Sequence, residues 1–287
     1  MVRMNNPLFR PPGEADSLIL QVDQGCPHNR CTFCGMYRGL PYRRLPIGEF
    51  RALMLREARD CPDARHIFLA DGDVMRRPFD ELQAILTMLN ERFPRLARVG
   101  LYANGSSIAA KTEEQLRSLR SLKLHTLYMG LESGDEEVLK RCRKGETAPQ
   151  MVDAGMRAQA AGLRMSVMVL IGLGGADRRR EHVAHTAEAI NRMQPRLLSA
   201  LRAIPIAGTE LHDDAVSGRF RQLTEYEAVR ELRDLIDRLV LKSTVFRANH
   251  NSNVVSLEGR LPRDKDRLLD EMDALMASDW GEKGRRV

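Results

Sequence analysis

Short apolar, β-rich segments alternate with longer segments of helical periodicity along most of this 287-residue chain, and this alternation restricts its fold more than any other feature. The longer segments, such as 79–93, place apolar side chains on one face of a helix. Capping boxes, in which a Thr and a Gln three residues later satisfy each other's amides, mark helix starts at 112–115 and 147–150. The predicted strands are Ser17–Asp23, His66–Ala70, Ala97–Ala103, His125–Leu131, Arg164–Gly172 and Arg196–Ile204.

Near-continuous apolar strands separated by helices are typical of a parallel sheet covered by helices. Six strand–helix units are too few for a regular eight-fold barrel of about 250 residues. We therefore predict an α/β fold in the form of an open, partial (β/α)6 barrel of the TIM type, formed by residues 1–211. Residues 212–287 contain a helical segment, two short strands and a last helix, and we predict a C-terminal extension that packs on the same domain.

Three of the five cysteines, Cys26, Cys31 and Cys34, follow the first predicted strand within nine residues. The first residues form no apolar core of signal-peptide length, and no run reaches the roughly 18 apolar residues of a membrane span, so we expect a cytoplasmic protein with no membrane partner. Thiols stay reduced in that compartment, which favours metal ligation or catalysis over a disulfide framework. The residues themselves leave open a [4Fe–4S] cluster with one open iron or a zinc site completed by His28.

The cysteine loop and the strand before it resemble the radical S-adenosylmethionine (SAM) enzymes, whose usual loop is C-x3-C-x2-C after the first strand of a partial barrel. The resemblance covers about Ser17 to Leu211, and the aromatic Phe33 beside the last cysteine fits it as a neighbour of the cofactors. It is nearest to the subset containing the methylthiotransferases, the elongator catalytic subunit and oxygen-independent coproporphyrinogen III dehydrogenase. The departure is that four residues, rather than three, separate Cys26 from Cys31.

Turns after later strands strengthen this resemblance. The segment Ala70–Asp73 stands where such enzymes bind the ammonium group of SAM, and Gly130–Gly145 is similar to the subset's G-L-E-S-G segment. The alternatives are a plain turn at Ala70–Asp73, a helix-capping role for Ser133 and a solvated position for Lys144. The cofactor contacts that the resemblance implies are Asp71, Gly72, Asp73, Glu132, Ser133, Lys144 and Gly172.

The resemblance also implies the chemistry. Cys26, Cys31 and Cys34 would be the catalytic residues that hold an oxygen-sensitive [4Fe–4S] cluster, and SAM would bind the open iron. A one-electron reductant of the flavodoxin or ferredoxin type would drive cleavage of SAM to methionine and a 5′-deoxyadenosyl radical, which removes a hydrogen atom from the substrate. The cofactors supply this chemistry, while the protein positions them.

Polar residues near the ends of other strands are the candidates for substrate contact. A charge inside an apolar strand is rarely left unpaired, so we expect Arg202 to face the barrel lumen and to bind an anionic substrate group or an internal glutamate. The polar segment 247–253 is expected to cap the barrel mouth or to form Asx and Ser turns. The candidates are Tyr102, Asn104, Arg202, Asn249, His250 and Asn251.

The net charge of +6 is carried by scattered arginines, such as Arg76–Arg77 and Arg178–Arg180, and aromatic residues make up only 5% of the chain. A nucleic-acid interface would need a basic stripe with aromatic stacking residues, so nucleic acid is possible as a partner but not favoured. We therefore expect a small-molecule substrate. The alternatives are a radical SAM enzyme that modifies tRNA or a protein, and a non-catalytic zinc or iron–sulfur binding protein.

Overall fold

The computed structural model describes residues 9–278 and residue 280. The strands are β1 (Leu18–Gln21), β2 (Asp23–Gln24), β3 (Arg43–Arg44), β4 (His66–Ala70), β5 (Arg98–Tyr102), β6 (Leu124–Glu132), β7 (Arg164–Ile171), β8 (Leu197–Arg202), β9 (Thr244–Ala248) and β10 (Leu257–Leu261). The α-helices are α1 (Ile47–Asp60), α2 (Phe79–Arg92), α3 (Gly105–Ala109), α4 (Glu113–Ser121), α5 (Glu136–Arg141), α6 (Ala148–Ala160), α7 (Arg179–Met193), α8 (Glu210–Val216), α9 (Glu225–Arg238) and α10 (Lys265–Ala277).

Eight of these strands form a mostly parallel sheet flanked by helices, which confirms the predicted α/β fold. The six strands predicted from the sequence correspond to β1 and to β4 through β8. Both predicted capping boxes are present, one at the start of α4 and one at the start of α6. Local sequence patterns therefore place most of the elements correctly.

The chain divides into two compact units. Among the described residues, unit one contains those up to Asn29, together with Met36–Met129 and Arg157–Arg164, and unit two contains Arg30–Gly35, Gly130–Met156 and those from Met165 onward. This division does not follow the expected boundary after residue 211, which stays a prediction. It runs through β6 and also through the cysteine loop, because Cys26 belongs to unit one while Cys31 and Cys34 belong to unit two.

In unit one, β1, β4, β5 and the first part of β6 lie side by side and are parallel. The short strands β2 and β3 form a separate antiparallel ribbon in which Asp23 lies opposite Arg44. Parallel strands end at a common edge, so the residues that follow β4 and β5 are brought to the same edge of the sheet.

In unit two, β7, β8 and β9 are parallel, and β10 pairs antiparallel with β9. The two short strands predicted for the extension therefore continue the sheet of this unit. The helix α9 packs against α7 and α10. A residue of α9, Glu231, accepts a hydrogen bond from the Gly172 amide in the turn that follows β7.

An arginine with 1% side-chain exposure, Arg77, ties together several segments of unit one. Its Nη2 donates to Asp23 Oδ1 over 2.7 Å and to the Leu45 carbonyl over 2.8 Å, while its Nη1 donates to Glu81 over 3.0 Å. Burial raises the pKa of Asp23, although the guanidinium opposes this effect. Asp23 lies shortly before the cysteine loop, so the pair fixes the chain where that loop begins.

Replacing Arg77 with methionine should lower the free energy of unfolding by about 3–5 kcal/mol, because Asp23 would remain buried without its partner. Urea denaturation measures this change. Arg95→Met is the matched control, because Arg95 pairs with Asp63 while both side chains are largely exposed, and its effect should stay below about 1 kcal/mol. Equal losses in the two variants would contradict a stabilising role for the buried pair.

Candidate active site

The turn after β4 contacts the start of the cysteine loop directly. The Gly72 amide donates to the Gly25 carbonyl over 3.2 Å. A Cβ atom on Gly72 would lie 2.6 Å from Cys26 Cβ and 2.8 Å from Cys26 Cα, which is closer than such atoms approach in proteins. Glycine at position 72 is therefore what allows Cys26 to lie where it does.

Asp71, beside this glycine, is buried and held by Gln21, whose Nε2 donates to Asp71 Oδ2 over 2.5 Å. Burial raises the pKa of Asp71 to about 6, although the hydrogen bond from Gln21 opposes the rise. Tyr37 is a buried neighbour that the sequence reasoning missed. Burial, together with the charge of Asp71, raises the pKa of the Tyr37 hydroxyl.

Asp73 is buried and accepts hydrogen bonds from the backbone amide and the side-chain amide of Asn104, each over 3.2 Å, as well as from the Ser107 hydroxyl. Two residues predicted for different contacts, Asp73 and Asn104, are thus brought together in unit one. Tyr102 is half-buried, and its ring packs edge-on against Phe68 with a centroid distance of 5.1 Å. The contacts of these residues with SAM or substrate stay predictions.

The second half of the cysteine loop is clamped within unit two. The Thr32 amide donates to the Cys142 carbonyl over 3.0 Å, and the Leu211 amide donates to the Thr32 carbonyl over 3.1 Å. Phe33 packs against an apolar cluster that includes Leu173 and Phe220. The end of α5 and the start of α8 therefore hold the backbone between Cys31 and Cys34.

The longer spacing between the first two cysteines includes a residue in the left-handed region, Asn29, with φ of 42°. Asparagine tolerates this conformation better than most residues. The Asn29 side-chain amide also donates to the carbonyls of Tyr37 and Leu40, over 3.0 and 3.3 Å. These contacts fix the turn at Asn29, within the four-residue spacing.

The chemistry of the donor set fits a [4Fe–4S] cluster. Cys26, Cys31 and Cys34 form no disulfide bond and are of intermediate exposure, and three thiolates are the protein ligands of a cluster with one open iron. Burial raises the pKa of Cys31 to about 12, although the nearby charge of Lys144 opposes this rise. Because a cysteine binds iron as the thiolate, Cys31 would lose its proton on binding the cluster. Within the described residues, no three His, Cys, Asp or Glu side chains are already grouped as metal ligands.

The segment after β6 forms a buried ion pair in unit two. Lys144 Nζ lies 3.3 Å from Glu132 Oε1, and neither side chain is more than 13% exposed. Burial alone would lower the pKa of Lys144, but the negative charge of Glu132 outweighs it, so the pKa is raised. Glu132 has φ of 64°, and a Cβ atom on Gly130 would overlap its carboxylate. The alternative that Lys144 is a solvated cation is therefore wrong.

Ser133 is completely buried, and its hydroxyl is used within the protein. It lies 2.8 Å from His182 Nδ1 and accepts a hydrogen bond from the Asp135 amide over 2.9 Å. Asp135, not Ser133, caps α5 by accepting from the Val138 amide. The capping alternative for Ser133 is thus wrong, and its predicted cofactor contact is untested.

Gly172, after β7, has φ of 85°, a conformation that favours glycine. Its amide donates to Oε1 of Glu231 on α9 over 2.5 Å. The sequence reasoning missed Glu231. It could have been found from the helical pattern, because Glu231 falls on the same stripe of α9 as the buried Ala228 and Leu235.

The remaining candidates lie in unit two. Arg202 Nη2 donates to the Leu223 carbonyl over 3.2 Å, and its Nη1 lies 3.8 Å from Glu225, so it has protein partners of its own. Asn249, His250 and Asn251 are exposed in a turn in which His250 Nδ1 lies 2.8 Å from the Ser252 hydroxyl. The Arg202 amide donates to that hydroxyl, which ties the turn to the end of β8. Their contacts with substrate stay predictions.

A three-cysteine loop after the first strand of a parallel α/β sheet indicates an iron–sulfur protein. Comparison with known families shows the superfamily to which the chain belongs. Residues 20–187, more than half of the chain, match the family model of the Radical SAM superfamily. The chain belongs to this superfamily, so the predicted family, with its [4Fe–4S] cluster and SAM as cofactors, is confirmed. None of the helices in the described residues has the length and apolar character needed to cross a membrane.

Curated relatives are distant. An uncharacterized methyltransferase of Pyrococcus horikoshii is 25% identical over 240 residues, which are 78% of this chain and 49% of the relative. A tRNA uridine(34) acetyltransferase of Methanocaldococcus infernus is 20% identical over 256 residues, which are 76% of this chain and 48% of the relative. The chain therefore spans about half the length of these relatives.

Solved structures share the fold at low sequence identity. The crystal structure of methylornithine synthase aligns with a TM-score of 0.55 and 15% identity, covering 90% of this chain and 81% of that one. This similarity supports the predicted fold and says nothing by itself about substrate.

Proposed function

We propose that this protein is an enzyme that uses a [4Fe–4S] cluster and SAM to remove a hydrogen atom from a small-molecule substrate. The observation that carries the proposal is the loop of three cysteines after β1, within the residues that match the superfamily. When bound, the reduced cluster and SAM together supply a carbon-centred radical that removes this hydrogen. The residues of the chain bind and orient the two cofactors.

The residues that would hold the cofactors differ in their tasks. Cys26, Cys31 and Cys34 would hold the cluster, and Gly72 leaves room for Cys26. The raised pKa keeps Lys144 protonated, so its ammonium would pair with the carboxylate of SAM as it now pairs with Glu132. The turn at Gly172 would lie against the adenosyl group.

The arginine runs support a small substrate over an RNA. Arg77 is buried on Asp23, Arg178 pairs with Asp135 over 2.7 Å, and Arg179 pairs with Asp234 over 2.7 Å. These guanidinium groups are used on internal carboxylates, which reduces the charge available to a phosphate backbone.

The test is anaerobic reconstitution with iron and sulfide, followed by incubation with SAM, dithionite and a panel of candidate substrates. We expect a brown protein with about four irons per chain, absorbing broadly near 400 nm. We also expect 5′-deoxyadenosine formation that rises with a small metabolite, such as an amino acid, and does not rise with tRNA. Stimulation by tRNA alone would contradict the proposal of a small-molecule substrate. A colourless protein that contains zinc would contradict the proposal that the chain is an iron–sulfur enzyme.

A further inference from the structure

A single acidic side chain is buried on the apolar face of α9. Glu231 has no exposed surface, while its neighbours on this face, Ala228, Leu232 and Leu235, are apolar. Its Oε1 accepts the Gly172 amide over 2.5 Å, and its Oε2 has no partner among the described residues. A buried acid with an unsatisfied oxygen destabilises the fold relative to an apolar residue, so its presence needs a reason.

A second buried side chain, His182 on α7, lies beside Glu231, with 3.6 Å between its Nε2 and Glu231 Oε1. The same Nε2 lies 3.1 Å from the Leu170 carbonyl, which can only accept, so Nε2 carries the proton. His182 Nδ1 then accepts from the Ser133 hydroxyl, whose oxygen accepts from the Asp135 amide. Burial lowers the pKa of His182 to about 4, which keeps the ring neutral in this arrangement.

These contacts tie down two turns at the carboxyl ends of neighbouring elements of unit two. His182 joins the end of β7 at Leu170 to the turn after β6 at Ser133. Glu231 holds the next turn at Gly172, whose φ of 85° lies in the left-handed region, by accepting its amide. Burial raises the pKa of Glu231 to about 8, so its carboxyl is largely neutral near pH 7 and fits an apolar helix face.

We propose that Glu231 is a positioning residue, which fixes the glycine turn after β7 by accepting the Gly172 amide and so orders the surface for the adenosyl group of SAM. The proposal rests on the function proposed above, because it takes SAM as the ligand of this turn. Glu231 acts through Gly172 and does not itself contact the cofactor.

The experiment compares Glu231→Leu and Glu231→Met, which remove the acceptor, with Glu231→Gln, which keeps an acceptor oxygen. Hydrogen–deuterium exchange of peptides covering 169–176 reports on the turn, and equilibrium dialysis of SAM with the reconstituted protein reports on binding. In Glu231→Leu and Glu231→Met we expect about tenfold faster exchange at the turn and SAM binding weakened about tenfold, the lower end of the range for positioning partners. In Glu231→Gln the exchange rate at the turn and the affinity for SAM should equal those of the native chain. Asp237→Asn, at an exposed position of the same helix, should also leave both quantities unchanged.

The outcomes separate the proposals. Unchanged exchange in both acceptor-free variants would overturn the anchoring role. Faster exchange with SAM binding equal to that of the native chain would overturn the positioning role, and so would a failure of Glu231→Gln to restore binding. If the native chain itself did not bind SAM, the proposed function would fail, while the exchange data would still measure the anchor.

Discussion

Simultaneous replacement of Cys26, Cys31 and Cys34 by alanine should abolish both the iron content and the formation of 5′-deoxyadenosine. Thiolates are the protein ligands of iron–sulfur clusters, and alanine offers no ligand atom. We expect iron to fall from about four per chain to background, with loss of the broad absorbance near 400 nm. Anaerobic reconstitution, iron determination and product analysis by liquid chromatography measure these quantities.

Cys61→Ala is the matched control for this variant, because Cys61 is an exposed free thiol at the end of α1. It removes a cysteine outside the loop, so its iron content and product formation should equal those of the native chain. Full iron retention in the triple variant would show that the cluster has other ligands. An unfolded triple variant would be recognised by circular dichroism, and single substitutions would then replace it.

The elements of the fold could be predicted because their determinants are local. Apolar runs, helical periodicity and the two capping boxes each depend on residues within a few positions of one another. The pairing of β9 with β8 could not be predicted in this way, since Leu197 and Val245 meet across a long separation in sequence. The two strands predicted in the extension, β9 and β10, extend the sheet of unit two beyond β8.

In the candidate site, too, local motifs could be predicted from the sequence, whereas contacts between residues far apart in the sequence could not. The cysteine loop and the turns after β4, β6 and β7 follow recognisable motifs, and the family is confirmed. The groups that hold those turns do not form motifs: Gln21 reaches Asp71 from β1, and Glu231 reaches Gly172 from α9. In the sequence, Gln21 and Glu231 cannot be told apart from other polar residues, because the turns that they contact lie far away along the chain.

Motifs also proved insufficient to indicate exposure. Ser133 and Lys144 were selected by resemblance to a segment, but one hydroxyl is enclosed by His182 and one ammonium is paired with Glu132. Arg202 was expected to bind a substrate anion or an internal glutamate, and its partners are the Leu223 carbonyl and Glu225. The position of Arg202 within an apolar strand therefore predicted that its guanidinium has a polar partner, but it did not identify that partner.

Gly72→Ala is expected to reduce cluster content and product formation about 10–100-fold, the range found when residues that position metal ligands are changed. The new methyl group would lie 2.6 Å from Cys26 Cβ and 2.8 Å from Cys26 Cα, so backbone rather than a flexible side chain would have to move. Since Gly72 also donates its amide to Gly25, the shift would be passed to the start of the cysteine loop. Iron content, SAM binding and 5′-deoxyadenosine formation measure the effect.

Gly48→Ala provides the control for this substitution, because a Cβ atom there meets nothing within 4 Å and the residue lies in α1. Alanine is favoured over glycine in a helix by about 0.5–1 kcal/mol, so this variant should be as active as the native chain and no less stable. Gly72→Ala should remain folded, since the overlap involves one loop and leaves the core of unit one intact. Native iron content in Gly72→Ala would mean that Cys26 has freedom to move, and that the close approach of these two residues does not set the geometry of the cluster loop.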